Sequence, residues 1–108
     1  MGRFDVLEVS LELVREVRGP LDGLRRRDPG LHDQLRRAVS SIALNVAEGN
    51  QRRGKDRLQF FRIADGSAAE FRAGVRVAEA WGCFGAAELR VGMELLDRVI
   101  AMLWRLTL

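Results

Sequence analysis

A chain of 108 residues, 47% hydrophobic and 31% charged, has the size and balance of one soluble folded domain and excludes a disordered polymer. Its formal net charge is only +3, yet it holds 17 Arg against a single Lys. The charge is also uneven: residues 18–37 sum to +3, residues 50–62 to +4, and the rest to −4, a skew that marks an anionic partner unless helix ends and turns simply carry solvated charge.

Spacing of apolar residues by three and four runs along the chain, and no alternating strand pattern competes with it. The first predicted helix covers residues 4–27. Leu7, Leu11 and Val14 form its stripe, with Val6, Leu13 and Val17 beside it. Gly19-Pro20 predicts a kink or break, because proline lacks the amide proton and crowds the preceding turn. Asp28-Pro29 opens the second helix, 29–48, with Asp as N-cap and Pro in the first helical position. Its buried stripe is Leu31, Leu35, Ala38/Val39, Ile42 and Val46, and Gly49 is the expected terminator.

The third helix is predicted over 55–81, with Phe61, Ala64, Ala68, Phe71, Val75 and Ala78 facing the core and Gly82 ending it. After "GCFG", a fourth helix over 86–105 places Leu89, Met93, Leu96, Ile100 and Leu103 on one face. Short connections make neighbours antiparallel, so the fold class is all-α, a single up-and-down four-helix bundle. Helices three and four are apolar on more than one face: Phe60, Ile63 and Val77 on one, Leu95, Val99, Met102 and Leu106 on the other. A stripe wider than one core requires predicts a second surface to cover, hence self-association. Gly66 and Gly74 each cost about 1 kcal/mol of helix propensity, which close approach of another helix would explain.

No nucleophile, base and orienting group assemble in the sequence, so no enzymatic activity is expected. His32, the sole histidine, sits in the first turn of the second helix beside Asp33 and reads as a solvated surface residue. Cys83, the sole cysteine, reads as a packing residue against Trp81 or Phe84. One His and one Cys cannot supply a zinc site, the bundle lacks Glu-x-x-His pairs, and no P-loop or GxGxxG occurs, so no metal and no cofactor are expected. The lone Cys allows no internal disulfide, Asp5, Glu8 and Glu12 interrupt any secretory signal, and no apolar run approaches the roughly 20 residues of a membrane span. A cytoplasmic location without membrane contact is the expectation.

The stretch "SSIALNVAEGNQRRGKDRLQFFRIADGSAAEFRAGVRVAEAWG" carries a resemblance. It is similar to the bacterial four-helix-bundle family encoded in intervening sequences of 23S ribosomal RNA genes, also called S23 ribosomal proteins. The accessory variability protein of diversity-generating retroelements is related to them. The matching residues are Arg36, Arg37, Ala38, Ser41, Ile42, Asn45, Ala47, Glu48, Gly49, Arg52 or Arg53, Phe60 or Phe61, Gly66, Ser67 and Glu70. The resemblance implies a homo-oligomer, a pentameric ring, without enzymatic activity. For the retroelement member it implies a basic surface for nucleic acid and a reverse transcriptase partner. Where the family favours Ser or Thr at the start of the third helix this chain has Gly54, and where it favours Lys this chain has Arg.

The residues themselves give two sets. Arg52, Arg53, Lys55 and Arg57 flank the turn between helices two and three, with Arg36 and Arg37 along helix two. These six are the candidate nucleic-acid contacts, because guanidinium forks fit phosphate and helix-start amides attract it. Asn45, Glu48, Ser67 and Glu70 read as a structural polar network that fixes register. Glu48 opposes the helix dipole by about 0.3–1 kcal/mol, so Arg52 or Arg53 is expected to fold back on it. The expected function is a non-enzymatic homo-oligomer binding RNA or DNA backbone; the alternative is an adaptor or assembly protein without a nucleic-acid ligand.

Overall fold

The first two helices start at Asp caps. The Asp5 carboxylate accepts the Glu8 amide at 2.9 Å and that of Asp28 accepts the Leu31 amide at 3.0 Å, each satisfying an otherwise orphaned donor. The computed structural model describes residues 5–85 and 87–108. Its helices are α1 (Val6–Arg27), α2 (Pro29–Asn50), α3 (Gly54–Ala80) and α4 (Arg90–Leu106). Each packs against two neighbours, in the cyclic order α1, α2, α3, α4, and none packs across the diagonal. Leu35 approaches Gly74, Ser41 meets Ser67 and Gly49 approaches Phe61, a descending series that makes α2 and α3 antiparallel. Val6 at the start of α1 shares a groove with Leu106 at the end of α4, so the bundle runs up and down.

Several boundaries and stripes differ from the sequence expectation. The expected start at residue 4 lies outside the described residues. Helix α1 is unbroken through Pro20: Val17, Leu21 and Leu24 on both sides of it bury in one core, and their packing outweighs the hydrogen bond that proline forfeits. Its buried stripe is Val6, Val9, Leu13, Val17, Leu21 and Leu24, while Leu7, Leu11 and Val14 are half-buried beside it.

Helix α2 does not stop at Gly49 but runs to Asn50. Gly49 is buried, and a Cβ there would come within 2.6 Å of the Phe61 ring. It is glycine for close packing rather than for termination. At the start of α3, Arg53 is the cap residue, and Gly54 takes φ +59°, a left-handed conformation in which side chains are strained. Trp81 caps the far end before Gly82 at φ +80°.

Helix α4 begins at Arg90, later than expected. Position 86 lies outside the described residues, and residues 87–89 form turns. There the Glu88 carboxylate accepts the Gly85 amide at 3.3 Å and the Ala87 carbonyl accepts the Arg90 amide at 3.3 Å. Val99, expected on a second stripe, is fully buried in the main core. Leu95 and Met102 are half-buried against that core, so much of the extra apolar width of α4 is covered within the bundle.

His32 is also a correction. It is 5% exposed, because α1 runs back alongside the first turn of α2, and its Nδ1 lies 3.1 Å from Asp33 Oδ1. Cys83 is half-buried against the core. Among the described residues no helix is long and apolar enough to cross a membrane.

Candidate nucleic-acid interface

The turn from α2 to α3 exists because Gln51 closes α2 through its amide and Gly54 reverses the chain with a positive φ. That geometry gathers four cations at one end of the bundle. Arg52 folds back as expected: its Nε and Nη2 donate to one Glu48 oxygen at 3.1 and 2.8 Å, and its guanidinium lies 5.0 Å from the Phe60 ring centre. Both partners of this pair are about half exposed, so solvent screening keeps its worth small. Arg57 lies 4.7 Å from the Phe61 ring centre and donates to the Gly49 carbonyl at 3.3 Å. Two of the four cations are therefore held in place by the protein itself.

Arg53 and Lys55 differ. Neither has a hydrogen-bond or ion-pair partner among the described residues, and both are exposed. Asp56, the acid of this turn, stands 3.9 Å from Arg52. Arg36 and Arg37 are exposed and unpartnered among the described residues, but they sit in the first half of α2, far along the helix from the turn. Arg36 lines a groove between α1 and α2, and the six sequence candidates do not form one continuous surface.

Arg105 was missed by sequence reasoning. With Asp5, Asn50 and Arg57 it lines a shallow groove of about 270 Å³ at this same end. Only the antiparallel return of α4 brings it there, and nothing local in "MLWRL" signals it.

The structural set is half assembled. The Asn45 amide donates to the Ser41 carbonyl at 2.8 Å and to its hydroxyl at 3.0 Å, and Ser41 Oγ meets Ser67 Oγ at 2.7 Å across α2 and α3. Glu48 belongs to Arg52 instead, and Glu70 is exposed without a partner among the described residues. Ser41 is the link that joins Asn45 to Ser67, so the network consists of Ser41, Asn45 and Ser67.

The outward face of α3 exposes several apolar side chains, with Glu70 midway between Ile63 and Val77. Ile63 is 40%, Val77 47% and Trp81 75% exposed, with Gly66 and Ala73 exposed between them. Leu44 on α2 is 69% exposed. Gly74, by contrast, is explained inside the chain, since a Cβ there would collide with Leu35. A Cβ on Gly66 would meet open space.

Among the described residues no cluster of His, Cys, Asp and Glu side chains could hold a metal ion. The model for the family described as 23S rRNA-intervening sequence protein matches residues 3–105. A crystal structure from Bacteroides thetaiotaomicron VPI-5482, of a protein with unknown function from the S23 ribosomal protein family, superposes with a TM-score of 0.86. The match covers 94% of this chain and 97% of that one at 17% sequence identity, a likeness that shows the shared fold. A search of curated proteins found no match.

Proposed function

The chain belongs to the 23S rRNA-intervening sequence protein family, and from that premise we propose a non-enzymatic homo-oligomer that binds the phosphate backbone of RNA or DNA through the α2–α3 end. The observation that carries this reading is the free state of Arg53 and Lys55 beside two cations already fixed by Glu48, Phe60, Phe61 and the Gly49 carbonyl. Ordered guanidinium groups next to free ones form a partly preorganised basic surface, and the uncapped start of α3 adds amide donors that favour phosphate. Arg52 and Arg57 cover Phe60 and Phe61, so among the described residues the turn itself offers no free stacking aromatic, and binding follows the backbone rather than base sequence.

Assembly makes such a weak site useful. The exposed Ile63, Val77 and Trp81 support burial against a second copy, since among the described residues nothing packs on that side of α3. A ring, as the resemblance implies, multiplies a few phosphate contacts through avidity. A pentamer has a mass near 60 kDa, five chains of 12.1 kDa. The chemistry of the site suits a cytoplasmic RNA or DNA ligand presented with or without a protein partner such as a reverse transcriptase.

Fluorescence anisotropy with a labelled single-stranded RNA tests the reading. Wild type should bind with a steep salt dependence. Replacing Arg53 and Lys55 with Ala should weaken binding and reduce the log–log salt slope by about 1.4, the release expected for two single-strand phosphate contacts. Unchanged slope and affinity in that variant would sink the reading.

One observation favours a second reading. Arg52 and Arg57 are engaged inside the chain, as expected of an adaptor whose cations serve its own fold. Under that reading the ring forms and RNA binding is absent.

A further inference from the structure

The groove between α1 and α2 has a chemistry of its own, on a side of the bundle that the α2–α3 turn does not include. It encloses about 420 Å³, within the range of roughly 300–1,000 Å³ for small-molecule sites. Arg18, Asp22 and Arg25 line it from α1, and His32, Arg36 and Ser40 line it from α2. Both sets follow helical spacing. His32, Arg36 and Ser40 are successive four-residue steps, so they stack along one wall, and Arg18, Asp22 and Arg25, four and then three residues apart, stack along the other.

The charge of these walls is not neutralised. Asp22 pairs with Arg25 at 3.0 Å, which leaves Arg18 and Arg36 facing the groove without an acid partner among the described residues. His32 adds a buried polar group at one end. Its Nδ1 is engaged by Asp33 at 3.1 Å, and among the described residues no fully enclosed side-chain nitrogen lacks a partner. Nε2, which has no partner among the described residues, is therefore not fully enclosed, and His32 lines the groove. An imidazole that is 5% exposed with one nitrogen on a carboxylate is oriented rather than merely packed. Apolar Val17 and Val39 make the floor, which lowers solvation around any anion seated above it.

We propose that this groove binds a phosphate monoester, with Arg18 and Arg36 gripping the anion from opposite walls and His32 lining its buried end. The Ser40 hydroxyl supplies a further neutral donor. The same group occurs on a free mononucleotide and at the 5′ end of a strand, and the groove recognises what they share. This site does not depend on the α2–α3 turn, so either can fail without the other.

His32 is the only histidine in the sequence, which makes its imidazole NMR signals a built-in reporter. Inorganic phosphate, then AMP, would be titrated at constant pH with chloride matching ionic strength in the reference. The His32 signals should move saturably with both anions and stay still with chloride. Arg36→Gln and Arg18→Gln, both at exposed positions that leave the core untouched, should each weaken binding by about fivefold or more. Arg53→Gln, at the far end, should leave it unchanged. A short 5′-phosphorylated RNA compared with its 5′-hydroxyl counterpart then distinguishes the sources: preference for the phosphorylated strand over AMP assigns a strand end, and the reverse assigns a free nucleotide. Shifts that fail to saturate, or that are indifferent to both Arg18→Gln and Arg36→Gln, overturn the proposal.

Discussion

The two faces of α3 both carry apolar and small residues and meet different surroundings. Its inner face carries Phe61, Ala64, Ala68, Phe71, Val75 and Ala78, all at most 1% exposed. Its outer face carries Ile63, Gly66, Ala73, Val77 and Trp81, all exposed. Two glycines mark the difference. Gly74 sits where Leu35 of α2 presses against the backbone, whereas Gly66 faces open space. A small residue on a helix is thus a statement about packing only when its neighbour is known. Inside the bundle that neighbour is Leu35; outside, the proposed neighbour is a second copy.

Substitutions can break or sharpen this contrast. The largest effect belongs to the inner face: Phe71→Ala should cost about 3–5 kcal/mol, because the ring is fully enclosed and its removal leaves a cavity. Urea denaturation would measure it, and a loss below 1 kcal/mol would show the core to be misplaced. Next, Gly74→Ala should destabilise by about 1–3 kcal/mol despite alanine's better helix propensity, since a fully buried Leu35 has no room to yield. Gly66→Ala should have the opposite sign in the isolated chain, a gain of about 0.5–1 kcal/mol, when unfolding is followed at concentrations where the protein is monomeric. Smallest of all is Val77→Glu. It should change monomer stability by no more than about 0.5 kcal/mol, yet lower the mass seen by sedimentation. An unchanged mass for an assembled protein would move the interface elsewhere.

Much of the bundle was legible because the signals were local. Asp28-Pro29 contains both the cap and the start of α2, and the inner face of α3 follows from spacing alone. Features set by a distant neighbour were not legible. Gly49 reads as a stop signal, and only the Phe61 ring across the turn reveals why it is glycine. His32 beside Asp33 reads as surface, and only the return of α1 buries it. Val99 looked like a second stripe because its neighbours Leu95 and Met102 serve the edges of the same core. At the basic end, the cluster itself was visible in "QRRGKDR", and so was the fold-back onto Glu48. Which cations stay free was not, because the partners of Arg57 are a ring and a carbonyl rather than an acid. Glu70, by contrast, stands apart from the network expected of it, and Ser41 takes the linking role.

Light scattering of the purified protein, alone and with a 30-nucleotide RNA at low and high salt, separates assembly from nucleic-acid binding in one experiment. A particle of several chains should gain the mass of RNA at low salt and lose it at high salt. A particle of the same size that never takes up RNA would contradict backbone binding and leave an assembly module in its place.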